Sequence, residues 1–423
     1  MGYAVGASAV TSKMKPGPHH VFDSHSASPQ GKAQTLMLID RLFVWPYKIL
    51  RFIFAHTTKN QSLDSSHVLI VKLMGLGSIT KFASLCEKHR VDKEKIKLIT
   101  FEPNRELCAL LGFKDTFFIR TSGLFHFFSD CFFLFHQVRA NQPSHIVDYE
   151  RCSNAVGTLR LALGWITKAK IFSFENIPDD HSCGRLLACS VQGLSLEAMF
   201  EKGIAIMPRA SQLENRIQVQ SLSQKIFINI NVSSYLLARR YPIPYFLELI
   251  KLLHAEYPEV EFHFTGSAQE NLYVEEIVKE LVQENIPAHN AAGSLTLAQL
   301  CQELTTCKLF ITCDSGPLHL SAYMGVLTLA IWGPTQYRHF GYDHLPHIRN
   351  GSLELSCSPC FLHPYSKPAK ACHGEITCLK NLTPSILFKK ASILLNEKST
   401  TRSVRLPVGM KKEITNSIEN QLA

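Results

Sequence analysis

The chain lacks any apolar run of the kind that crosses a bilayer, although 46% of its 423 residues are hydrophobic. A transmembrane helix needs about 20 consecutive apolar residues, and the longest apolar segment, residues 36–55, contains four charged side chains. The first 34 residues are polar and rich in Ser, Gly and Pro, so they lack the apolar centre of a secretory signal peptide. The sequence therefore predicts a globular, cytoplasmic protein rather than an integral membrane protein.

The chain also has no basic run interleaved with stacking aromatic residues, which argues against nucleic acid as a partner. Its net charge of +9 instead favours an anionic substrate or surface. Thirteen cysteines, an odd number, are scattered mostly through core-like segments. This usage is typical of free thiols in a reducing compartment.

The apolar segment 36–55 is predicted to be an amphipathic helix. Its charges fall within about a third of the helical circumference, and Trp45 and Tyr47 lie near its middle. One interpretation is an interfacial helix that lies on an anionic membrane, as a peripheral anchor. The other is a helix that packs on the protein's own core, and Pro46 would kink the helix in either case.

From residue 67 onward, buried strands alternate with helices in two successive series, which predicts an α/β fold with parallel sheets. We expect an N-terminal extension at 1–66, a first Rossmann-like domain at 67–221, a second at 222–397 and a polar tail at 398–423. Residues 124–138 contain six phenylalanines and are predicted to form a helix that is buried on nearly all sides. A helix at 383–395 is expected to close the fold by crossing back to the first domain.

The second series ends in the segment 309–341, which we take as the centre of the molecule. A strand is followed by Asp314, Ser315 and Gly316, which begin a short helix, and a second buried strand follows. In open α/β sheets, ligands bind at the carboxyl ends of the strands, and the free amide groups of a helix start can hold a diphosphate. His319, one turn inside the helix, could add a further donor.

This segment, DSGPLHLSAYMGVLTLAIWGPT, closely resembles the signature of glycosyltransferase family 9, the bacterial lipopolysaccharide heptosyltransferases. The resemblance covers about residues 67–395, with further matching segments at 68–79, 146–151, 230–242, 260–270 and 292–300. It implies the GT-B fold, in which two Rossmann-like domains face each other across a cleft.

The resemblance also implies a nucleotide-diphospho-sugar donor, such as ADP-heptose, held mainly by the second domain. Asp314 would bind sugar hydroxyls or cap the helix, and the amides of Ser315 and Gly316 would hold the phosphates, with His319 beside them. The remaining implied donor contacts are the basic pair that neutralises the leaving group, a ribose-binding carboxylate and two hydroxyls: Arg239, Arg240, Glu270, Ser233 and Ser234.

The first domain departs from the family pattern. Heptosyltransferases carry a Gly-Asp pair in the first strand–helix turn, and its Asp is regarded as the general base, whereas this chain has Gly77-Ser78. A neutral hydroxyl cannot take a proton from an acceptor alcohol near pH 7 without another base. The chain resembles a branch of the family that lacks the Gly-Asp pair, and we expect Glu150 to be the base, with Asp148 beside it. Lys72 and Gly77 are expected to contact the acceptor.

Four cysteines lie close together after the last strand of the second domain, at Cys357, Cys360, Cys372 and Cys378. A CxxC pair followed by two further thiols has spacing compatible with structural zinc. Free thiols or a disulfide pair would fit the same irregular loop. The resemblance implies that transfer itself requires no metal or cofactor.

The sequence thus predicts an inverting glycosyltransferase that moves a heptose-like sugar to a lipid-linked or polysaccharide acceptor at the inner face of the membrane. Its chief rival is an inactive relative that has lost its base and binds a nucleotide-sugar or acts as a scaffold. A two-domain epimerase of similar architecture is disfavoured, because the matching segments are those of family 9.

Overall fold

A computed structural model defines the structure of the protein over most of the two predicted domains. The described residues are 42–55, 68–73, 75–149, 154–172, 204, 207, 216–219, 221–232, 238–335, 337, 341–342, 345–355, 376–396 and 402–410. The statements below concern these residues only.

The first half is a five-stranded parallel sheet with the strand order β3-β2-β1-β4-β5. Apolar runs of four to six residues form its central strands, because both faces of the sheet are covered by helices. In chain order the elements are α1 (Val44–Ala55), β1 (Val68–Val71), α2 (Leu76–Lys88), β2 (Ile96–Phe101), α3 (Arg105–Leu110), β3 (Thr116–Ile119), α4 (Leu124–Asn141), β4 (His145–Asp148), α5 (Asn154–Thr167) and β5 (Lys170–Phe172).

The second half is a six-stranded sheet with the order β12-β11-β10-β7-β8-β9, and all its pairs are parallel. The elements are β6 (Arg216–Val219), β7 (Lys225–Asn229), α6 (Ile243–Glu256), β8 (Glu261–Phe264), α7 (Asn271–Gln283), β9 (Ala288–Asn290), α8 (Leu297–Thr306), β10 (Leu309–Cys313), α9 (Gly316–Met324), β11 (Thr328–Ile331), β12 (Ile348–Gly351), α10 (Thr377–Lys380), α11 (Pro384–Leu395) and β13 (Arg402–Arg405). Both halves therefore have the doubly wound strand order of Rossmann folds, which confirms the predicted α/β class.

The two halves share one apolar core. Phe82 of α2 and Phe113 of the first half belong to the same buried cluster as Tyr323 and Met324 of α9. Glu87 of α2 accepts a hydrogen bond from the Tyr323 hydroxyl of the other half. Helices α2 and α9, each of which begins at the carboxyl edge of its own sheet, therefore pack directly against each other.

Helix α1 packs against α5 of the first half. The Tyr47 ring is buried and lies against Gly157, where an added Cβ would come within 2.6 Å of the ring. Trp45 and Ile49 on the other side are 69% and 57% exposed. The face that carries Tyr47 therefore packs on the protein's own core, as one of the two interpretations predicted. The face that carries Trp45 and Ile49 is exposed. None of the helices in the described ranges combines the length and the apolar character needed to cross a membrane.

Helix α4 was predicted to be buried on nearly all sides, and this prediction was wrong. Only one face packs on the first sheet, through residues such as Phe127, Leu134 and Val138. The opposite face leaves Phe125 and Phe132 81% and 75% exposed. Six phenylalanines that lie on both faces of the helix hide the helical period in the sequence, so the pattern could not show that only one face is covered.

The predicted polar tail and closing helix also require correction. Helix α11 packs on the core of the second half, through Leu387 and Leu394, and does not cross to the first half. The segment 402–410 does so instead: Arg405 Nε lies 3.1 Å from Glu87 Oε2 on α2, and Val408 lies against Gly112, both in the first half. Within the same segment, β13 pairs antiparallel with β6. Short strands with alternating basic residues, such as Arg402–Arg405, carry too little apolar signal to be recognised in a polar context.

Candidate functional site

The candidate site lies where the strand order of the second sheet reverses, between β7 and β10. In doubly wound sheets this switch point leaves a crevice at the carboxyl ends of the strands. Asn229 ends β7, and its side-chain nitrogen Nδ2 donates to Ser315 Oγ at 2.9 Å and to Thr312 Oγ1 at 3.2 Å. The Ser315 side chain is thus held across the switch point, at the beginning of α9.

Asp314 is the centre of a buried polar cluster. Its Oδ2 atom accepts a hydrogen bond from Thr335 Oγ1 at 2.6 Å and lies 3.1 Å from Arg239 Nη1. Its Oδ1 atom lies 3.7 Å from His319 Nε2, and His319 Nδ1 is 2.7 Å from the Tyr342 hydroxyl. Three polar groups therefore surround one carboxylate that is only 5% exposed, and Tyr342 holds one of them, His319, from behind.

The surroundings keep this carboxylate ionised. Burial alone would raise the pKa of Asp314, but the Arg239 guanidinium, His319 and the Thr335 hydroxyl outweigh burial and hold the pKa well below its usual range. Burial lowers the pKa of His319, and the nearby Asp314 opposes that shift only in part. The cluster therefore contains a carboxylate, a guanidinium and a neutral imidazole near pH 7.

The start of α9 offers backbone donors beside this cluster. Ser315 has extended backbone and occupies the position before the helix, and Gly316 and Pro317 begin the first turn. Amide groups at the start of a helix have no carbonyl partner within the helix and attract anions. The Asp314 carboxylate is bound to Arg239 and Thr335, so its contacts do not match a helix cap.

A second network lies at the neighbouring carboxyl end of β8. Asn231 donates to the Thr265 carbonyl at 2.9 Å and accepts from the Tyr273 hydroxyl at 2.5 Å. The Arg240 guanidinium lies over the Tyr273 ring, 5.0 Å from its centroid. Glu270 accepts from the Ser267 amide at 2.7 Å and from its hydroxyl at 2.9 Å, which forms a capping box. Arg240 and Glu270 are therefore both near the end of β8, and Glu270 is engaged in the local turn.

The first half approaches this site through the start of α2. Gly77 lies against the His319 ring, and a Cβ added there would come within 2.6 Å of Nε2. Ser78 Oγ donates to the Gly75 carbonyl at 2.9 Å. Lys72 follows β1 and is 5% exposed. The predicted acceptor-side turn and the predicted donor-side helix therefore meet directly.

The predicted carboxylates of the first half lie at the end of β4, next to β1. Asp148 is 3% exposed, and its Oδ2 atom lies 3.3 Å from Arg160 Nη1 on α5. This ion pair engages Asp148, which the sequence analysis had placed beside the expected base. Glu150 and the donor-side residues Ser233 and Ser234 lie outside the described residues.

The predicted zinc ligands are mostly outside the described residues as well: Cys357, Cys360 and Cys372 are not described, and Cys378 is buried in α10. In the described part of the chain, Glu261, His263 and His289 bring three ligand atoms within 4.8 Å of one another. The two imidazole rings are stacked, with centroids 4.7 Å apart and planes inclined by 28°. Lone pairs that lie in nearly parallel planes do not converge on one ion, so these rings would have to rotate before both could bind a metal.

Several residues of the cluster were not predicted from the sequence. Each has a polar side chain at or just after the end of a strand, on a loop, or in the first turn of α7: Asn229, Asn231, Tyr273, Thr335 and Tyr342. The two asparagines carried a usable signal, because they interrupt an apolar strand at its carboxyl end. The other three residues are brought in by folding alone.

The family model for glycosyltransferase family 9 (heptosyltransferase) matches residues 196–371 of this chain. Lipooligosaccharide heptosyltransferase 2 of Campylobacter jejuni (serotype O:2) is 29% identical over 230 residues, which are 54% of this chain and 69% of that protein. A solved glycosyl transferase family 9 protein of Veillonella parvula has a TM-score of 0.55 and 15% identity, covering 80% of this chain and 99% of that one.

The heptosyltransferase WaaC of E. coli, solved with ADP, has a TM-score of 0.51 and 14% identity, covering 78% of this chain and 99% of that one. At this identity the two solved structures are informative about the fold alone. They confirm the predicted GT-B architecture of two Rossmann-like halves.

Proposed function

We propose that this chain, whose residues 196–371 match the model of glycosyltransferase family 9, transfers a heptose-like sugar from a nucleotide-diphosphate donor to a lipid-linked or polysaccharide acceptor. The observation that supports this proposal best is the buried Arg239–Asp314 pair at the switch point of the second sheet. The ADP present in the solved WaaC structure supports an adenine nucleotide as the first donor to test.

In the proposed reaction, an acceptor hydroxyl oxygen attacks the anomeric carbon from the face opposite the nucleotide. The bond between that carbon and the phosphate oxygen breaks, its electron pair leaves with the nucleoside diphosphate, and the configuration inverts. The proton of the hydroxyl passes to a carboxylate, for which Glu150 is our candidate, because Asp148, two positions earlier in the sequence, is engaged with Arg160. A hydroxyl such as that of Ser78 could not take up this proton.

Charge stabilisation would come from the second half. The leaving diphosphate gains negative charge as the bond breaks, and a fixed cation at that point stabilises the transition state. Asp314 fixes the plane of the Arg239 guanidinium through Nη1, so the cation is positioned before the donor arrives. The amides at the start of α9 add donors that need no side-chain ordering. Asp314 is proposed here as a positioning residue rather than as a direct phosphate contact.

The acceptor side of the proposal rests on charge and location. The net charge of +9 suits an anionic glycolipid, and the exposed side of α1, with Trp45 and Ile49, suits a peripheral position at the inner face of the membrane. The lipooligosaccharide named for the Campylobacter relative supports an oligosaccharide-bearing lipid as the acceptor class. No metal or cofactor is proposed for the transfer step itself.

The experiment is donor binding by calorimetry followed by a transfer assay, with ADP-, GDP- and UDP-sugars. We expect the double variant Arg239→Ala, Arg240→Ala to bind the donor about 100-fold more weakly, because charge-assisted hydrogen bonds contribute about 1.5–3 kcal/mol each. Glu150→Gln should keep donor affinity and lose transfer by about 100-fold or more.

The matched control is Lys251→Ala, which removes a cation of the second half from an exposed ion pair with Glu284. It should bind the donor like the wild type, since exposed ion pairs contribute little. Unchanged affinity in the double arginine variant would refute the donor site. Donor binding without transfer by the wild-type protein, to any glycolipid acceptor, would favour an inactive, nucleotide-sugar-binding relative.

A further inference from the structure

The outer face of α4 carries a stripe of exposed aromatic side chains, which we call the phenylalanine stripe. It consists of Phe125, Phe128, Phe132 and Phe133, which are 81%, 47%, 75% and 57% exposed. Soluble proteins rarely expose apolar patches of this kind unless the patch contacts another apolar phase. The stripe is therefore a binding surface that the proposed reaction does not explain.

The opposite face of α4 fixes the orientation of the stripe. Phe127, Leu134 and Val138 are buried against the first sheet. Asp130, on the same inner side, accepts from Arg120 Nη2 at 2.6 Å and from the Arg120 backbone amide at 2.8 Å. Because the inner face is anchored by packing and by this ion pair, the helix cannot roll to bury the stripe in its own domain.

Helix α1 and the residues just before it extend the stripe. The ring centroids of Phe43 and Phe128 are 6.0 Å apart, so the two surfaces are continuous. Leu42, Trp45 and Ile49 add side chains that are 54%, 69% and 57% exposed. Helix α5 lies beneath both, in contact with α1 and α4. The apolar surface therefore spans two neighbouring helices rather than one.

The helices that carry this surface are predominantly basic. The sequences of α1, α4 and α5 contain a single acidic residue, Asp130, and it is paired with Arg120 on the inner side. The same helices carry Lys48, whose amino group lies 5.1 Å from the Trp45 ring centroid, and Arg139 near the end of α4. Aromatic side chains flanked by cations match the boundary between acyl chains and anionic headgroups.

We propose that the phenylalanine stripe, together with Leu42, Trp45 and Ile49, is the surface by which this protein docks on an anionic lipid bilayer. The rings would enter the acyl boundary, and Lys48 and Arg139 would contact the headgroups. The inference deepens the proposed function and rests on it in one respect: the acceptor proposed for the enzyme is lipid-linked and therefore lies in a bilayer. It assigns the main contact to α4, which the sequence had suggested was buried.

The test is flotation of the full chain with vesicles of phosphatidylglycerol and phosphatidylethanolamine, compared with vesicles of phosphatidylcholine alone. We expect preferential binding to the anionic vesicles. The double variant Phe125→Ser, Phe132→Ser should bind them at least about 10-fold more weakly, because two exposed rings are removed from the contact. Its thermal unfolding should match the wild type, since both side chains are mostly exposed.

The matched control is Leu272→Ser in the second half, where the side chain is also 81% exposed but lies on α7, away from the stripe. It should bind vesicles like the wild type. Equal vesicle binding by the phenylalanine variant and the wild type would overturn the proposal. So would light scattering that shows the wild type as a dimer and the phenylalanine variant as a monomer, because the stripe would then be covered by a second copy.

Donor affinity, measured in solution without vesicles, separates this proposal from the proposed function. The phenylalanine variant should bind the donor with wild-type affinity, because the stripe is not part of the site at the second sheet. If the wild-type protein docks through the stripe but binds no nucleotide-sugar, the proposed function fails while the docking surface stands.

Discussion

At the scale of single residues, the chemistry of the site depends on a carboxylate that is nearly inaccessible to water. Removing Asp314 from water is unfavourable unless a cation and hydrogen-bond donors accompany it. Arg239 and Thr335 supply both, although they lie 75 positions before and 21 positions after it in the sequence. The same ion pair holds Arg239 beside Asp314, so stability and the proposed donor binding depend on the same contact.

This ion pair predicts a specific pH dependence. We expect Asp314→Asn to lower the free energy of unfolding by about 3–5 kcal/mol near neutral pH, because Arg239, whose side chain is 16% exposed, loses a charged partner. The folded-state pKa of Asp314 lies below its unfolded value. Its contribution is therefore fully present above the unfolded pKa, about 3.9, and is lost as the pH falls through the folded pKa.

The measurement is urea unfolding of the wild type and Asp314→Asn at several pH values between 6 and 3. The difference between the two proteins should be constant above about pH 5 and shrink below about pH 4, while titration of all other carboxylates cancels in the difference. A difference that stays constant down to pH 3 would contradict the assigned ionisation of Asp314.

What the sequence could predict at this scale is the type and approximate place of each polar group, and not its partner. Asp314, Ser315 and Gly316 were placed correctly at the end of a strand and the start of a helix. The partner of Asp148 was missed, because Arg160 lies on a helix whose packing onto β4 is decided by tertiary contacts. Ion pairs between distant segments have no signature in local composition, so they become visible only in the folded chain.

At the scale of elements, long periodic segments were predictable and short ones were not. The strands at β1, β2, β7, β8 and β10 are mostly apolar runs between turn residues, which is the pattern that indicates a buried strand. The edge strands β9 and β12 have a weaker pattern, because partial exposure mixes polar side chains such as His289 and Arg349 into their sequences. The α/β class was still predicted correctly, because the central strands alone indicate a parallel sheet.

The contribution of the C-terminal strand β13 to the free energy of unfolding can be tested by a single substitution. Arg402 is 9% exposed and donates to the carbonyls of Cys307 at 3.0 Å and Lys308 at 3.2 Å. We expect Arg402→Ala to lower the free energy of unfolding by about 2–4 kcal/mol, because it removes two charge-assisted hydrogen bonds and leaves buried carbonyls unsatisfied. Denaturant unfolding followed by tryptophan fluorescence measures this change.

Arg105→Ala is the matched control, since Arg105 forms an exposed ion pair with Glu102. It should cost less than about 1 kcal/mol. Equal stability of Arg402→Ala and the control would mean that β13 is not required to hold the second half together.

At the scale of the whole molecule, the two halves meet through the starts of α2 and α9. Gly316 lies against Leu76, and Gly77 lies against His319, so in both places a glycine allows the backbone of one half to approach a side chain of the other. The His319 ring cannot easily move aside, because it is 8% exposed and is held by the Tyr342 hydroxyl at 2.7 Å. The relative position of the halves therefore depends on the absence of a Cβ atom at these glycines.

We expect Gly77→Ala to separate the halves at this point, because the added Cβ would come within 2.6 Å of His319 Nε2. Overpacking of this kind costs about 1–3 kcal/mol, and it displaces the acceptor-side turn from the donor-side helix. Transfer should fall by about 10-fold or more, since small misplacements of reacting groups have large effects on rate. Small-angle scattering should show a larger radius of gyration, whereas donor affinity should change little.

The control is Gly164→Ala, where the new Cβ would meet only the Ile171 side chain within the first half. It tests whether an added methyl group acts through local packing alone, and it should leave the radius of gyration unchanged. If Gly77→Ala keeps wild-type scattering and transfer, then contact between α2 and α9 does not set the geometry of the reaction. The halves would in that case be positioned by other described contacts between them, such as the ion pair of Arg405 with Glu87 and the hydrogen bond from the Leu297 amide to Glu106.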